Sequence, residues 1–179
     1  MKSPVKYIIV LVALSISSCT WNQSEIPADF AIKIEGMFHD KVDTFNGTYV
    51  RSGVKKPKKK EIINGRETGR NIIEYSDSVV YTTFTIQEKQ ELYSLLRKIN
   101  YTTYPDTSKI ECESDIVPSH KIHIKVRANN RIKYISYNDG CQDNNNEIKA
   151  ARSIVNLTME ILERHKEVKQ LPETVLLDL

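Results

Sequence analysis

The chain has 179 residues, with 26 basic and 23 acidic side chains and a formal net charge of +3. So small an excess gives no global reason to expect nucleic acid or an acidic polymer as partner. The length suits one domain with a real core, and the six scattered glycines form no phosphate-cradling loop.

Met1-Lys2-Ser3-Pro4-Val5-Lys6 is a short basic start, Tyr7 to Ile16 is apolar, and Ser17-Ser18-Cys19 closes the run with small residues and a cysteine. The run is about half the roughly 20 apolar residues that a membrane-spanning helix needs. This leader resembles that of bacterial lipoproteins, and Ile16-Ser17-Ser18-Cys19 is similar to their lipobox. The resemblance implies that residues 1–18 are removed, that Cys19 is acylated, and that the lipid holds the protein at a membrane. Thr20 stands where an aspartate marks inner-membrane retention in that family, so the resemblance favours the outer membrane. The plainer alternative is a secretory leader with Cys19 as one more disulfide cysteine. Processing would leave 161 residues at +1, because Lys2 and Lys6 depart and no acidic residue does. Cys112 and Cys141 remain. In an oxidising compartment they are expected to bridge, since a redox pair sits as C-x-x-C and these two are far apart. A closed loop would stabilise the fold by roughly 3–4 kcal/mol in the chain-entropy model.

Thr20 to Asp29 is polar and aperiodic and reads as a tether, with Trp21 placed where an indole can rest at a membrane interface. Phe30 to Glu35 alternates apolar and polar, which predicts a half-buried strand. Gly36 to Asp43 is less regular and holds His39, Asp40 and Asp43. Thr44 to Arg51 resumes strand chemistry, and the two strands are expected to pair antiparallel. Lys55, Lys56, Lys58, Lys59 and Lys60 surround Pro57, which argues for a basic loop. Its functional reading is a site for anionic headgroups, lipopolysaccharide or nucleic acid, but no aromatic platform is interleaved, and a solvated loop is favoured. Asn64-Gly65-Arg66 signals a turn. Two strands are expected within 71–86, with Ser76-Asp77-Ser78 turning the chain between them. Asp77-Ser78-Val79 also resembles the short acceptor of periplasmic O-glycosylation, although a bare turn explains it.

Thr85-Ile86-Gln87-Glu88 has capping-box form, and Leu92, Leu95, Leu96 and Ile99 follow at helical spacing, which predicts a helix over 86–99. Glu111, Glu113 and Asp115 alternate around Cys112 as a solvated acidic edge, with too few oxygens in pattern for a calcium loop. His120–Arg127 and Arg131–Tyr137 flank Asn129-Asn130 and form the clearest hairpin. On such a strand His120 and His123 face opposite ways, which argues against a shared metal. Asn144 and Glu147 suit the start of a second helix over 146–167, with Ile148, Ala151, Val155, Thr158, Met159 and Leu162 in its stripe and Ile154 and Ile161 widening it. Val175-Leu176-Leu177 is a short apolar tail.

No nucleophile elbow, H-E-x-x-H, Walker loop, dinucleotide fingerprint or C-x-x-C is present. The expected fold is α+β: an antiparallel sheet of about five to seven strands with two amphipathic helices on one face. The expected function is a lipid-anchored envelope protein with a non-catalytic binding or structural domain. Its partners are the membrane, through the lipid on Cys19, and a protein or glycan, without nucleic acid, cofactor or metal. Two alternatives stay open: an inhibitor or immunity-like partner of an enzyme, and an envelope enzyme using His39 and nearby carboxylates.

Overall fold

The computed structural model describes residues 25–37, 40–55, 59–72, 75–111, 120–141 and 146–172, with backbone alone at 54, 55, 59 and 70–72. Nine strands run β1 Ala31–Glu35, β2 Asp40–Asp43, β3 Thr48–Lys55, β4 Lys59–Ile63, β5 Arg66–Ile72, β6 Tyr75–Tyr81, β7 Thr107–Lys109, β8 Lys121–Ala128 and β9 Arg131–Asn138. The helices are α1 Ile86–Lys98, α2 Asn146–Leu162 and the single turn α3 Lys166–Lys169. Seven strands form one sheet in the order β6-β3-β2-β1-β8-β9-β7, and β4 and β5 pair apart from it. Among the described strands, only β7 runs parallel to its neighbour. The fold is therefore α+β, as its pattern of strands and helices predicts.

Alternation along each strand sorts the sheet into two faces. One continuous row, Val80-Tyr49-Val42-Ile34-Ile124-Ile135-Ser108, crosses all seven strands by direct pairing. Its five central residues are buried in a single core with Leu92 and Leu96 of α1 and Ile148, Ile154 and Ile161 of α2. Both helices thus cover the same face. Each apolar side chain moved out of water there contributes about 1.5–3 kcal/mol.

Local chemistry sets the element ends. Thr85 caps α1: its hydroxyl accepts from Glu88 N, and Glu88 Oε2 accepts from Thr85 N at 2.8 Å. Asn129 and Asn130 take positive φ of 54° and 59° in the β8–β9 turn, the mirror-image turn that matches strand twist. Asp29 holds that turn through both carboxylate oxygens, each accepting a backbone N–H at 2.8 Å. Gly36 ends β1 at φ 86°, where a Cβ would lie 1.9 Å from Lys121 O.

Four expectations need correction. The opening pair is not 30–35 against 44–51. Asp43 Oδ1 accepts from Phe45 N, and Thr44 bonds both backbone groups of Ile32, so 44–47 becomes a turn. The irregular stretch before it supplies β2, which stands between β1 and β3. Ser76-Asp77-Ser78 does not turn: it lies inside β6, paired along β3. The second helix stops at Leu162 rather than 167, because a tight turn at 163–165 releases the chain and His165 starts α3. The basic loop is shorter than drawn, since Lys55 ends β3 and Lys59 and Lys60 open β4. Pro57, which cannot donate to a ladder, falls between the strands.

Candidate functional site

Among the described residues, no helix covers the second face of the sheet. One pairing step from the buried row, a parallel row reads Tyr81-Thr48-Asp43-Lys33-Lys125-Tyr134-Thr107. Beside it run Val79, Val50 and Lys41, and Glu35, His123, Ser136 and Lys109. Tyr81 is 80% exposed and Val79 53%, with Tyr134 and Ile132 also exposed. Large side chains are normally spared such exposure when they lie in a group rather than singly.

The charges on this face are organised by the aromatic rings. Lys125 Nζ lies 5.0 Å from the Phe45 centroid and 5.6 Å from that of Tyr134, and the Arg127 guanidinium lies 4.7 Å from Phe45. These are cation–π distances, which hold the long cations upright over the sheet. The turn that displaces Phe45 from β3 is what places its ring there. Lys33 bridges Glu35 at 3.1 Å and Asp43 at 3.8 Å. The hydrogen bond that Lys33 donates to Glu35 is the main cause holding its ammonium above its ordinary range, against a smaller desolvation effect. Lys125 has no carboxylate partner among the described residues, so its charge is available to a ligand. Lys33, Glu35, His123, Lys125, Tyr134 and Ser136 line a shallow depression of about 420 Å³ on this face.

A second polar group lies on the helix side. Tyr49, fully buried, donates its hydroxyl to Asp40 Oδ1 at 2.5 Å, and the Arg51 guanidinium donates to the Tyr49 hydroxyl oxygen at 3.1 Å. Burial first, and then the Asp40 carboxylate, raise the Tyr49 phenol far above its ordinary range. The phenol stays neutral and acts as a bridge. Asp40 and Asp43 lie three apart on β2 and so leave opposite faces of the sheet, Asp40 toward Tyr49 and Asp43 toward Lys33. His39, the third member of the acidic loop constellation, lies outside the described residues.

His165 is held by side chains on both ring nitrogens. Its Nδ1 lies 2.7 Å from Thr82 Oγ1 and its Nε2 lies 3.0 Å from Glu88 Oε1. Hydroxyl, imidazole and carboxylate in line resemble nucleophilic chemistry. Here the Thr82 hydroxyl is buried and Glu88 is occupied by the α1 cap, so the group clamps the end of β6, the start of α1 and the α2–α3 corner together. Sequence reading missed it because the three residues are 77 and 83 positions apart.

The remaining site expectations distribute as follows. Cys19 and Cys112 lie outside the described residues. Cys141 is buried and disulfide-bonded. Lys60 pairs with Glu67 across β4 and β5, and Lys56 and Lys58 lie outside the described residues. His120 sits at the foot of the hairpin, where its N–H donates to Asp139 Oδ1 at 2.6 Å, while His123 stands on the open face. Of the alternating carboxylates only Glu111 is described, paired with Lys109. Among the described residues, no three His, Cys, Asp or Glu side chains gather closely enough to hold a metal, and no helix is long and apolar enough to cross a membrane. The residues that sequence reading did not single out are Phe45, Tyr81, Tyr134, Lys125 and Arg127. Polar alternation in β8 marks two of them, but no sequence signal joins them to the others.

Neither a family model, nor a curated protein, nor a solved structure matches the chain.

Proposed function

We propose that this is a lipid-anchored envelope protein whose non-catalytic domain docks a protein partner on the open face of its sheet. The observation that carries the docking is the outward row that starts at exposed Tyr81 on β6 and reaches exposed Tyr134 on β9, with Lys33 and Lys125 between. Tyrosine and arginine dominate protein interfaces because each combines large contact area with a polar group. Arg127 and Lys125 are already fixed over aromatic rings, so little side-chain freedom is lost when a partner's carboxylates meet them. The partner is accordingly acidic where it meets β8. The anchor rests on the leader's resemblance and on Cys19.

Capture from detergent-solubilised envelope membranes tests the docking. Wild type is compared with Tyr134→Ala and Lys125→Glu, both on the open face and away from the core. A partner held by wild type and lost from both variants, with unchanged melting temperature, supports the reading. A partner retained by both variants would place the interface elsewhere, and loss of a bound glycan instead of a protein would change the class of ligand. Mass spectrometry of the native protein tests the anchor: an unmodified Cys19, or a retained leader, sinks it.

A further inference from the structure

We propose that the β4–β5 hairpin is a membrane-contact arm whose tip enters the surface of an anionic bilayer. This goes beyond the docking face and does not depend on the lipid at Cys19. The arm stands off the main sheet as its own two-stranded ribbon. Every residue from 62 to 69 is exposed. A Cβ added at Gly65 in the turn or at Gly69 in β5 would meet nothing within 4 Å among the described residues.

What the tip carries is unusual for a solvated turn. Ile62 is 65% exposed and Ile63 53% exposed, immediately before the Asn64-Gly65 turn. Adjacent residues of a strand leave opposite faces, so the two side chains flank the ribbon end as an apolar wedge. Ile63 is paired with Arg66 across the turn, and Arg66 has no carboxylate partner among the described residues. Residues 59–72, the arm itself, hold four basic side chains against two acidic, a net +2 of the whole chain's +3. Cations beside an apolar tip suit a bilayer of acidic lipids, which offers headgroup charge and hydrocarbon in one surface. Nucleic acid would offer the charge but nothing for the isoleucines, and the arm's described residues carry no aromatic platform for bases. β3 ends, before the arm, at the end of the sheet opposite to the start of β1.

The test uses the full chain with Ile63→Trp in a Trp21→Phe background, which leaves one indole, at the tip. Vesicles with brominated acyl chains quench an indole that reaches them. The indole is expected to be quenched by vesicles rich in phosphatidylglycerol at low salt, and to be spared by phosphatidylcholine vesicles and by high salt. Replacing both isoleucines by serine should weaken binding to the acidic vesicles about tenfold or more, with the melting temperature unchanged. An indole left unquenched by acidic vesicles at low salt overturns the proposal. So does binding to a DNA oligonucleotide in place of vesicles, unaffected by the serine pair. Flotation of the wild-type chain with phosphatidylcholine vesicles at high salt reads the Cys19 lipid alone. Flotation without tip quenching sinks the arm only, and tip quenching without flotation sinks the anchor only.

Discussion

The two faces of the seven-stranded sheet are built on the same backbone and differ in almost everything else. The row Val80-Tyr49-Val42-Ile34-Ile124-Ile135-Ser108 faces α1 and α2 and is mostly sealed. The row Tyr81-Thr48-Asp43-Lys33-Lys125-Tyr134-Thr107, one step along each strand, faces outward. The polar groups differ in kind as well. On the helix side they satisfy one another inside the fold, as in Tyr49 with Asp40 and Arg51. On the open side, half-buried Lys125 and Arg127 lean over the Phe45 ring, and Arg127 also donates to the Asp29 carbonyl. A buried polar group must be paired or it costs stability, whereas an exposed one is free to serve a partner. The first face explains why the domain folds, and the second is where recognition is available.

The comparison breaks most visibly at adjacent residues. Ile34→Ala should cost about 3–4 kcal/mol, because Ile34 is fully buried under both helices. Lys33→Ala, one residue away, should stay within about 0.5–1 kcal/mol, since its ion pairs are solvent-screened. Urea denaturation of the two variants reads the difference, and equal losses would mean that the faces are not distinct. His165→Ala should cost about 2 kcal/mol, as it removes two hydrogen bonds and leaves the buried Thr82 hydroxyl without that partner. A loss under about 0.5 kcal/mol would show that the clamp contributes nothing. Tyr49→Phe should cost about 1–2 kcal/mol, because Asp40 and Arg51 keep each other at 3.6 Å once the phenol oxygen is gone. Thermal melts would detect it.

The smallest expected effect is on pH dependence. Asp29 accepts the Asn130 and Asn129 amides, and these bonds hold its carboxyl below the ordinary value of 3.8, the Asn130 bond most strongly. A lowered folded value means that the contribution is present above the ordinary value and is lost as the pH falls through the folded one. Asp29→Asn should therefore lower the melting temperature slightly at neutral pH and converge with wild type in acid. A gap that stays constant with pH would remove this carboxylate from the turn's support.

How much was legible follows the range of each interaction. Thr85 with Glu88, and Asn129 with Asn130, act within a few residues, so α1 and the β8–β9 hairpin can be read directly. Alternation in Ile122, Ile124 and Val126 names a buried face, because the period of a strand is two. The errors arise where a distant partner decides. Thr44 looks like strand chemistry until Ile32 claims it, and Ser76-Asp77-Ser78 looks like a turn until β3 pairs along it. Lys133 belongs to the same class: it is buried on the helix side because its ammonium bonds the Thr102 and Tyr104 carbonyls. The open face was legible only in fragments. Lys33 and Lys125 each read as outward residues of a strand, but their meeting with Tyr81 and Tyr134 depends on strand order, which no local pattern carries.

The most direct test of the docking face is site-specific photo-cross-linking in cells. A photoreactive residue is placed at Tyr134 on the open face or at Lys98 at the exposed end of α1. A discrete adduct from position 134, absent from position 98 and abolished by Lys125→Glu, is the predicted result. An adduct from position 98 with none from position 134 would contradict it.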